Sequence, residues 1–368
     1  MAGAPFDDIH GPSTGSTYVF EYCRGAWSQA AKLIADDGAQ GNRFGYRVAI
    51  SGDYLVVAAI YDGAGSAYVF ERQPDRTWVQ VQKLRPADAQ AGDEFGKSVA
   101  ISGDVIVVGA RGDDDQGFSA GSAYVFERDP SGCWAQAAKL LASDGRFLAG
   151  FGISVSVSGD LALVGAYGAD GRVPWTGAAY VFERTPDRDW LEVAKLFAAD
   201  GDNSDGFGYT VTLERDTALL AAPGDDDHGE CSGSAYVFVR DQDAMWSEVA
   251  KLVPDDGEAW DWFGQAVAVS GNIAVVGTFP QDPNQPPKPG KAYIYAVGPD
   301  EDGDGVMDAC ECPGDVNHDW IVDYLDLLVL LEDWGCTGAD CPGDADGDND
   351  TDQADLGILL ANWGNICP

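Results

Sequence analysis

Most of this chain is a single sequence unit written several times over, and no other feature limits the possible folds as strongly. The dipeptide Phe-Gly recurs with spacings of 51, 56, 56 and 56 residues, at Phe44, Phe95, Phe151, Phe207 and Phe263. A Tyr-Val-Phe-type run, and a Trp followed five residues later by Lys-Leu, recur in phase with it. Self-similarity with a period of tens of residues indicates a repeat architecture, in which each unit buries its apolar face against its neighbours.

Each unit predicts four short antiparallel β-strands. In the copy from Phe95 to Leu140, β-branched and aromatic residues alternate with polar ones in short runs, as in half-buried strands. Ser-Gly-Asp joins the first two strands, and its glycine supplies the positive φ of a tight hairpin. The glycine of Phe-Gly is expected to permit close backbone approach where the innermost strands meet.

Four strands in about fifty residues, repeated around a ring, predict an all-β fold of the β-propeller class. Kelch repeats carry a Gly-Gly doublet that these units lack, and WD repeats are shorter. We expect about six blade positions over residues 1–298, the first without its Phe-Gly strand and the last without its Trp strand. Residues 3–20 align with residues 109–126, so the chain begins inside a repeat, and we expect an export signal upstream.

The charge balance excludes several classes of partner. The chain has 61 acidic and 22 basic residues, a formal net charge of -39. Nucleic acid and anionic membrane surfaces are disfavoured because their phosphates would be repelled. No stretch approaches the roughly 20 apolar residues of a membrane span. A carboxylate excess of this size suits divalent cations, a salty exterior or solubility alone.

The cysteines indicate an oxidising compartment. Five of the eight lie in the last 59 residues, and the other three, Cys23, Cys133 and Cys231, lie in the repeats. Such crowding is typical of secreted proteins, so we expect a secreted or cell-surface location. The pairing of the three repeat cysteines and of Cys310 stays open.

The order of motifs within each unit resembles FG-GAP repeats. Phe-Gly, a Val-Gly-Ala-type run such as Val108–Ala110, and Tyr-Val-Phe follow one another over residues 3–297. The resemblance implies a propeller similar to the head of integrin α subunits. That family often has an Asp-rich calcium loop in the hairpin between the first two strands. Here that hairpin is only Ser-Gly-Asp, so the family's calcium ligands are not carried over to it.

Other loops of the repeats are rich in aspartate. Asp113–Asp115 and Asp225–Asp227 follow the second strand of their units, and either weak calcium binding or solvation of a turn would explain them. Arg111-Gly112-Asp113 spells an adhesion tripeptide, although by alignment Arg111 only replaces Pro223 of a later copy. The repeated Trp is expected to pack between blades rather than to bind sugars.

After the repeats, residues 299–311 form an acidic linker with the spacing of a calcium loop. Acidic residues occupy places 1, 3, 5, 9 and 12 of an EF-hand-type loop, with Gly305 at the sharp turn of place 6. Alternate residues of such a loop point inward and supply the oxygen ligands that a hard cation prefers. The predicted ligands are Asp300, Asp302, Asp304, Asp308 and Glu311.

Residues 312–368 contain an internal duplication with a period of 29 residues. Each half has a twelve-residue acidic loop and then an apolar run, from Leu327 and from Leu356, that predicts a short helix. This resembles a dockerin type I module, which implies two calcium loops that are each followed by a helix. The ligands implied in the first loop are Asp315, Asn317, Asp319, Ile321 (by its carbonyl), Asp323 and Asp326. Those implied in the second are Asp344, Asp346, Asp348, Asp350 (by its carbonyl), Asp352 and Asp355.

The two halves also place cysteines alike, which predicts two disulfides, Cys312–Cys336 and Cys341–Cys367. Each would clamp a loop to the end of its helix and contribute about 3 kcal/mol. The module departs from the dockerin pattern at Tyr324-Leu325 and Gln353-Ala354, where a Ser-Thr-type pair is associated with cohesin recognition. Calcium binding remains the prediction, whereas cohesin binding is less well supported.

The sequence predicts no catalytic residue. It has only three histidines, which are scattered through the chain, so a Ser-His-Asp hydrolase is not indicated. We therefore expect a non-catalytic binding or adhesion protein that requires Ca²⁺ and has a protein partner, cohesin-like or at the cell surface, or a glycan. The alternative is a carbohydrate-active enzyme, a glycoside hydrolase or polysaccharide lyase, or its accessory subunit, because dockerin-like tails are often attached to such enzymes and paired carboxylates are abundant.

Overall fold

A computed structural model describes residues 1–23, 25–281 and 288–297 of the chain, and positions 327, 329–331 and 356 of its tail. Twenty-two β-strands lie in the first three segments, and the tail positions are helical. These positions fall within the two apolar runs predicted to be helices. The calcium loops and the cysteines of the tail lie outside the described residues, so the dockerin-like module stays a prediction.

The strands form six sheets, and strand order within each sheet follows the chain. The first sheet contains β1 (Ala2–Ala4), β2 (Ser16–Cys23) and β3 (Ala26–Leu33). The second contains β4 (Phe44–Ser51), β5 (Tyr54–Ala59), β6 (Ser66–Arg72) and β7 (Trp78–Leu84). The third contains β8 (Phe95–Ser102), β9 (Val105–Ala110), β10 (Ser122–Arg128) and β11 (Trp134–Leu140).

The remaining sheets repeat this plan. The fourth contains β12 (Val155–Ser158), β13 (Leu161–Ala166), β14 (Ala178–Arg184) and β15 (Trp190–Leu196). The fifth contains β16 (Thr210–Glu214), β17 (Thr217–Ala222), β18 (Ser234–Arg240) and β19 (Trp246–Leu252). The sixth contains β20 (Ala266–Ser270), β21 (Ile273–Gly277) and β22 (Ala292–Ala296).

The fold is a six-blade β-propeller, as the repeats predict. Four sheets have four antiparallel strands, whereas the first and last have three. The first strands of successive full sheets, β4, β8, β12 and β16, pack against one another and are therefore the innermost strands. The chain divides into two compact units, residues 1–269 with 275–293, and residues 270–274 with 294–368.

The hairpins between first and second strands have the predicted geometry. In the third blade Ser102 pairs with Val105, and Gly103 between them has a φ of 57°. The equivalent glycines of three other hairpins, Gly52, Gly159 and Gly271, have φ angles of 55–57°. This left-handed conformation is readily adopted by glycine.

Successive blades are joined through backbone atoms at Phe-Gly. Gly121 of the third blade bridges to Phe151 of the fourth, and the Phe151 amide donates to the Ala120 carbonyl oxygen at 2.9 Å. A β-carbon on Gly152 would lie 2.2 Å from the carbonyl oxygen of Ser122. The predicted close approach is confirmed, but the partner is the third strand of the preceding blade rather than the neighbouring innermost strand.

The repeated aromatic residues form the core of each blade. The Phe151 ring lies 5.5 Å from the Tyr180 ring and 6.0 Å from the Phe182 ring, centroid to centroid. Trp134 is buried and packs edge-on against Tyr54 of the preceding blade at 5.9 Å. The predicted blade-packing role of the Trp is confirmed there, whereas Trp27 of the first sheet is exposed. No helix among the described residues is long and apolar enough to cross a membrane.

Candidate functional site on the loop face

The register of the strands brings two sets of loops to one end of the blades. Phe95 pairs with Ala110, and Ala110 pairs with Ser122, so strand starts and strand ends alternate at that end. We call this end the loop face: it consists of the loops between second and third strands and the loops that join blades. The amides of Leu148 and Gly150 donate to the carbonyl oxygens of Phe118 and Ser119, so the two sets of loops are hydrogen-bonded to each other.

A network of tyrosine, aspartate and lysine anchors each loop, and the third blade shows it in full. The Asp113 carboxylate accepts from the Tyr124 hydroxyl at 3.0 Å and from the Ser122 hydroxyl at 2.8 Å. The Lys139 ammonium lies 2.8 Å from the same carboxylate oxygen. Asp113 is only 4% exposed, so the loop is anchored by a buried ion pair.

The Lys139 ammonium also forms ion pairs with two further carboxylates. Lys139 Nζ lies 2.8 Å from Asp88 Oδ2 and 2.6 Å from Asp115 Oδ2. Burial would lower the pKa of Lys139, but the three aspartates outweigh it and raise that pKa. The ammonium therefore occupies the point at which the carboxylates of this loop converge.

The fifth blade repeats this arrangement. Lys251 Nζ lies 2.7, 3.0 and 2.6 Å from carboxylate oxygens of Asp200, Asp225 and Asp227. In each of the two Asp-rich loops a lysine pairs with two of the three acids for which the sequence predicted either calcium binding or solvation of a turn. Across residues 1–23, 25–281 and 288–297, no group of three or more His, Cys, Asp or Glu residues is placed to hold a metal ion.

The network varies between blades. In the fourth blade Ala169 replaces the buried aspartate, and Lys195 pairs with Asp144 at 2.5 Å. In the second blade burial would raise the pKa of Asp62, but hydrogen bonds from Lys83, Ser66 and Tyr68 lower it to about 2. A lysine–aspartate pair is thus kept in these blades, but in the fourth it no longer includes a buried aspartate of the loop between second and third strands.

A second set of buried aspartates closes the loops between blades. Asp93, Asp205 and Asp261 each accept a backbone N–H from the residue three positions earlier. Burial, together with the nearby charges of Asp225, Asp226 and Asp202, raises the pKa of Asp205 to about 6. The aspartate side chain therefore closes a turn in each of these three loops.

One cluster breaks the symmetry of the repeats, on the loop face beside the innermost strands. We call it the inner cluster, Tyr46, Glu94, Lys97, Arg111 and Tyr167. Arg111 Nε lies 3.2 Å from Glu94 Oε2, and Arg111 Nη1 donates to the Tyr167 hydroxyl at 3.4 Å. Lys97 Nζ lies 3.5 Å from Glu94 Oε2 and donates to the Tyr46 hydroxyl at 3.3 Å. The cluster therefore joins residues of the second, third and fourth blades.

Sequence reasoning missed the inner cluster because it treated the units as copies. The place of Lys97 holds tyrosine, isoleucine or glutamine elsewhere, and the place of Arg111 holds tyrosine, proline or phenylalanine in later units. Charged residues at positions that are uncharged in the other copies were the available signal. The adhesion tripeptide is not displayed as such, because Arg111 pairs with Glu94 and Asp113 is buried.

The loop face also carries exposed aromatic side chains. Phe118 and Phe147 are 64% and 54% exposed, and their ring centroids are 6.1 Å apart. The Arg146 guanidinium lies 4.0 Å from the centroid of Trp175 in the next blade. Further exposed aromatic residues in these loops are Phe6, Tyr61, Phe197 and Phe279.

The predicted tail ligands, from Asp300 to Asp355, and the predicted disulfide cysteines, from Cys312 to Cys367, lie outside the described residues. Their assignments stay predictions. In the described part of the chain Cys23, Cys133 and Cys231 are free thiols.

One protein family matches the sequence of this chain. The sequence model of the FG-GAP repeat matches residues 27–70, 78–126, 134–182, 190–238 and 246–295. No curated protein matches the chain.

Similar solved structures include a periplasmic gluconolactonase from Pseudomonas aeruginosa, with 16% identity, a TM-score of 0.48, and coverage of 77% of this chain and 78% of that one. Another is a protein from Lactobacillus plantarum, with 12% identity, a TM-score of 0.45, and coverage of 72% and 73%. These likenesses are too distant to support an argument about activity.

Proposed function

Since the chain belongs to the FG-GAP repeat family, we propose that its propeller is a non-catalytic binding scaffold that holds an extracytoplasmic ligand on the loop face. The observation that carries the proposal is the exposure of aromatic side chains on that face, above all Phe118 and Phe147. Exposed large apolar groups that are grouped together are typical of interaction sites.

The anchoring of the loops supports a binding role. Phe118 lies in the loop that the buried Asp113–Lys139 pair anchors, and its carbonyl oxygen accepts from Leu148 next to Phe147. A ligand that contacts both rings would not have to order these backbones first. Binding to preorganised groups loses less conformational entropy and is tighter for the same contact area.

The tail is proposed to attach this scaffold to a protein partner. Residues 299–311 supply one calcium loop, and residues 312–368 supply a dockerin-like pair of loops. Their carboxylate oxygens are the donors that Ca²⁺ prefers, and the metal would neutralise acids that otherwise repel one another. The partner is cohesin-like or a cell-surface protein, and the whole protein is secreted or held at the cell surface.

A binding experiment tests the scaffold proposal. The full chain is applied to a panel of immobilised polysaccharides and cell-surface fractions, beside a Phe118→Ala/Phe147→Ala variant. We expect the double variant to lose at least tenfold in affinity for whatever the full chain binds. Trp27→Ala is the matched control, because Trp27 is exposed but lies on β3, away from the loop face.

Two outcomes would contradict the scaffold proposal. Equal loss in the Trp27→Ala control would show a general effect of removing a surface aromatic ring. Release of soluble sugars from any polysaccharide at an enzymatic rate would favour the carbohydrate-active enzyme instead.

A calcium titration tests the tail. The full chain is expected to bind Ca²⁺ at three sites, and Asp344→Ala/Asp355→Ala to bind one ion fewer, because both carboxylates belong to the same predicted loop. Isothermal titration calorimetry gives the stoichiometry. An unchanged stoichiometry in the double variant would show that the loop is wrongly assigned.

A further inference from the structure

We propose that the inner cluster binds the carboxylate of an acidic sugar, so that the ligand of the loop face is a uronate-containing polysaccharide. The inference rests on the proposed function and specifies its ligand. It starts from local charge: the chain carries a net charge of -39, yet the inner cluster holds two cations and one carboxylate. Lys97 and Arg111 share one oxygen of Glu94, Oε2.

The two cations of the inner cluster have N–H groups that can still donate hydrogen bonds to a ligand. Lysine has three N–H donors and arginine has five, and the contacts within the described chain engage two of each. The two contacts to the Glu94 carboxylate are 3.5 and 3.2 Å long, whereas charge-assisted hydrogen bonds to a carboxylate are typically 2.7–2.9 Å. A ligand carboxylate can therefore accept shorter hydrogen bonds than the cluster makes within itself.

The charged side chains of the inner cluster are partly exposed, which favours the binding of a ligand. The side chains of Lys97, Glu94 and Arg111 are 18%, 24% and 31% exposed. A ligand can reach them, and the low exposure reduces the screening of their charges by solvent. The one surplus positive charge of the cluster matches a singly charged carboxylate.

The surrounding tyrosines favour a sugar. Tyr46 and Tyr167 supply hydroxyl groups within the cluster, and the Tyr167 ring lies 6.0 Å from the ring of Tyr209. A tyrosine side chain combines an apolar ring face with a hydrogen-bonding tip. Such groups can contact the C–H face of a pyranose ring and its hydroxyl groups together, while the two cations hold its carboxylate.

The test compares oligogalacturonate with the same oligosaccharide after reduction of its carboxyl groups to alcohols. Titration calorimetry with the full chain is expected to show at least tenfold tighter binding of the acidic form. Lys97→Gln and Arg111→Gln are expected to remove that preference, Lys97→Arg to retain most of it, and 0.5 M NaCl to reduce it. Arg146→Gln is the control, because Arg146 lies on the loop face but stacks on Trp175.

The outcomes separate this inference from the proposed function. Equal affinity for the acidic and reduced forms, or failure to bind either, overturns the inference, as does an equal loss in Arg146→Gln. Tighter binding of an oligoglutamate peptide than of oligogalacturonate overturns the assignment to a sugar. If another ligand of the panel still requires Phe118 and Phe147, the scaffold proposal stands without this inference. If nothing on the panel binds, both fail.

Discussion

At the scale of single residues, the lysines of the fourth strands differ in the number of loop carboxylates that they contact. Lys139 lies among three carboxylates, whereas Lys195 in the next blade pairs with one carboxylate of the described residues, that of Asp144. The two residues occupy the same place in their repeats. Substituting each lysine in turn therefore measures how much the additional acids affect the stability of the propeller.

We expect Lys139→Met to destabilise the propeller more than Lys195→Met does. Removing one partner of a largely buried ion pair costs about 3–5 kcal/mol, and Asp113 would be left buried without its cation. The side chains of Lys195 and Asp144 are 25% and 50% exposed, so water can replace that lysine at a cost of about 1 kcal/mol. Urea denaturation measures both losses, and equal losses would refute the anchoring role of Asp113–Lys139.

A buried carboxyl group gives a pH-dependent prediction. The pKa of Asp205 is raised to about 6, so between about pH 4 and pH 6 the unfolded chain ionises this group while the folded chain keeps it protonated. The contribution of Asp205 to stability therefore falls as pH rises through that window. We expect Asp205→Asn to be more stable than the unmodified chain at pH 7, by up to about 3 kcal/mol, and equally stable near pH 4.

Denaturation midpoints at pH 4, 5, 6 and 7 check this prediction. Asp187→Asn is the control, because Asp187 is exposed and lies in the hairpin between β14 and β15, and it should shift stability by less than about 0.5 kcal/mol. A stability difference for Asp205→Asn that does not change with pH would contradict the proposed burial effect.

At the scale of elements, the junctions between blades depend on glycines that tolerate no side chain. A β-carbon on Gly121 would lie 2.0 Å from the carbonyl oxygen of Phe151, and Gly121 also has a φ of 86°. Gly103 has a φ of 57°, but nothing lies within 4 Å of its added β-carbon. The two positions separate the effect of contact from the effect of conformation.

We expect Gly103→Ala to cost about 1–2 kcal/mol, the usual penalty of a left-handed alanine. Gly121→Ala must in addition displace the backbone of the next blade, so we expect a larger loss or no soluble protein. Thermal unfolding of the two variants measures the difference. A similar loss in both would show that the junction can open to accept a methyl group.

The sequence predicted the elements better than the contacts between them. Alternation, Ser-Gly-Asp and the repeated markers were enough for the strands, the hairpins and the incomplete end blades, because these depend on local pattern. The inner cluster could not be predicted so directly, because Lys97 meets Tyr46, and Arg111 meets Tyr167, only when separate blades pack together. The role of Lys139 was hidden for the same reason, since Asp88 belongs to the preceding loop.

At the scale of the whole molecule, the net charge of -39 opposes compactness, because the surplus carboxylates repel one another. Added salt screens this repulsion, and the Debye length falls from about 10 Å at 0.1 M to about 3 Å at 1 M. We therefore expect the melting temperature to rise between 0.1 M and 1 M NaCl. A fall would show that the ion pairs of the loop face outweigh the net repulsion.

The junction between blades has an evolutionary consequence. The hydrogen bond from the Phe151 amide to the Ala120 carbonyl oxygen recurs between Phe95 and Ala64 and between Phe207 and Thr176. Because these bonds use main-chain atoms, a copy can keep its place beside a neighbour while its loop residues mutate. Unequal recombination within the gene could then add or remove a copy without requiring a new joint, and selection could act on one loop at a time.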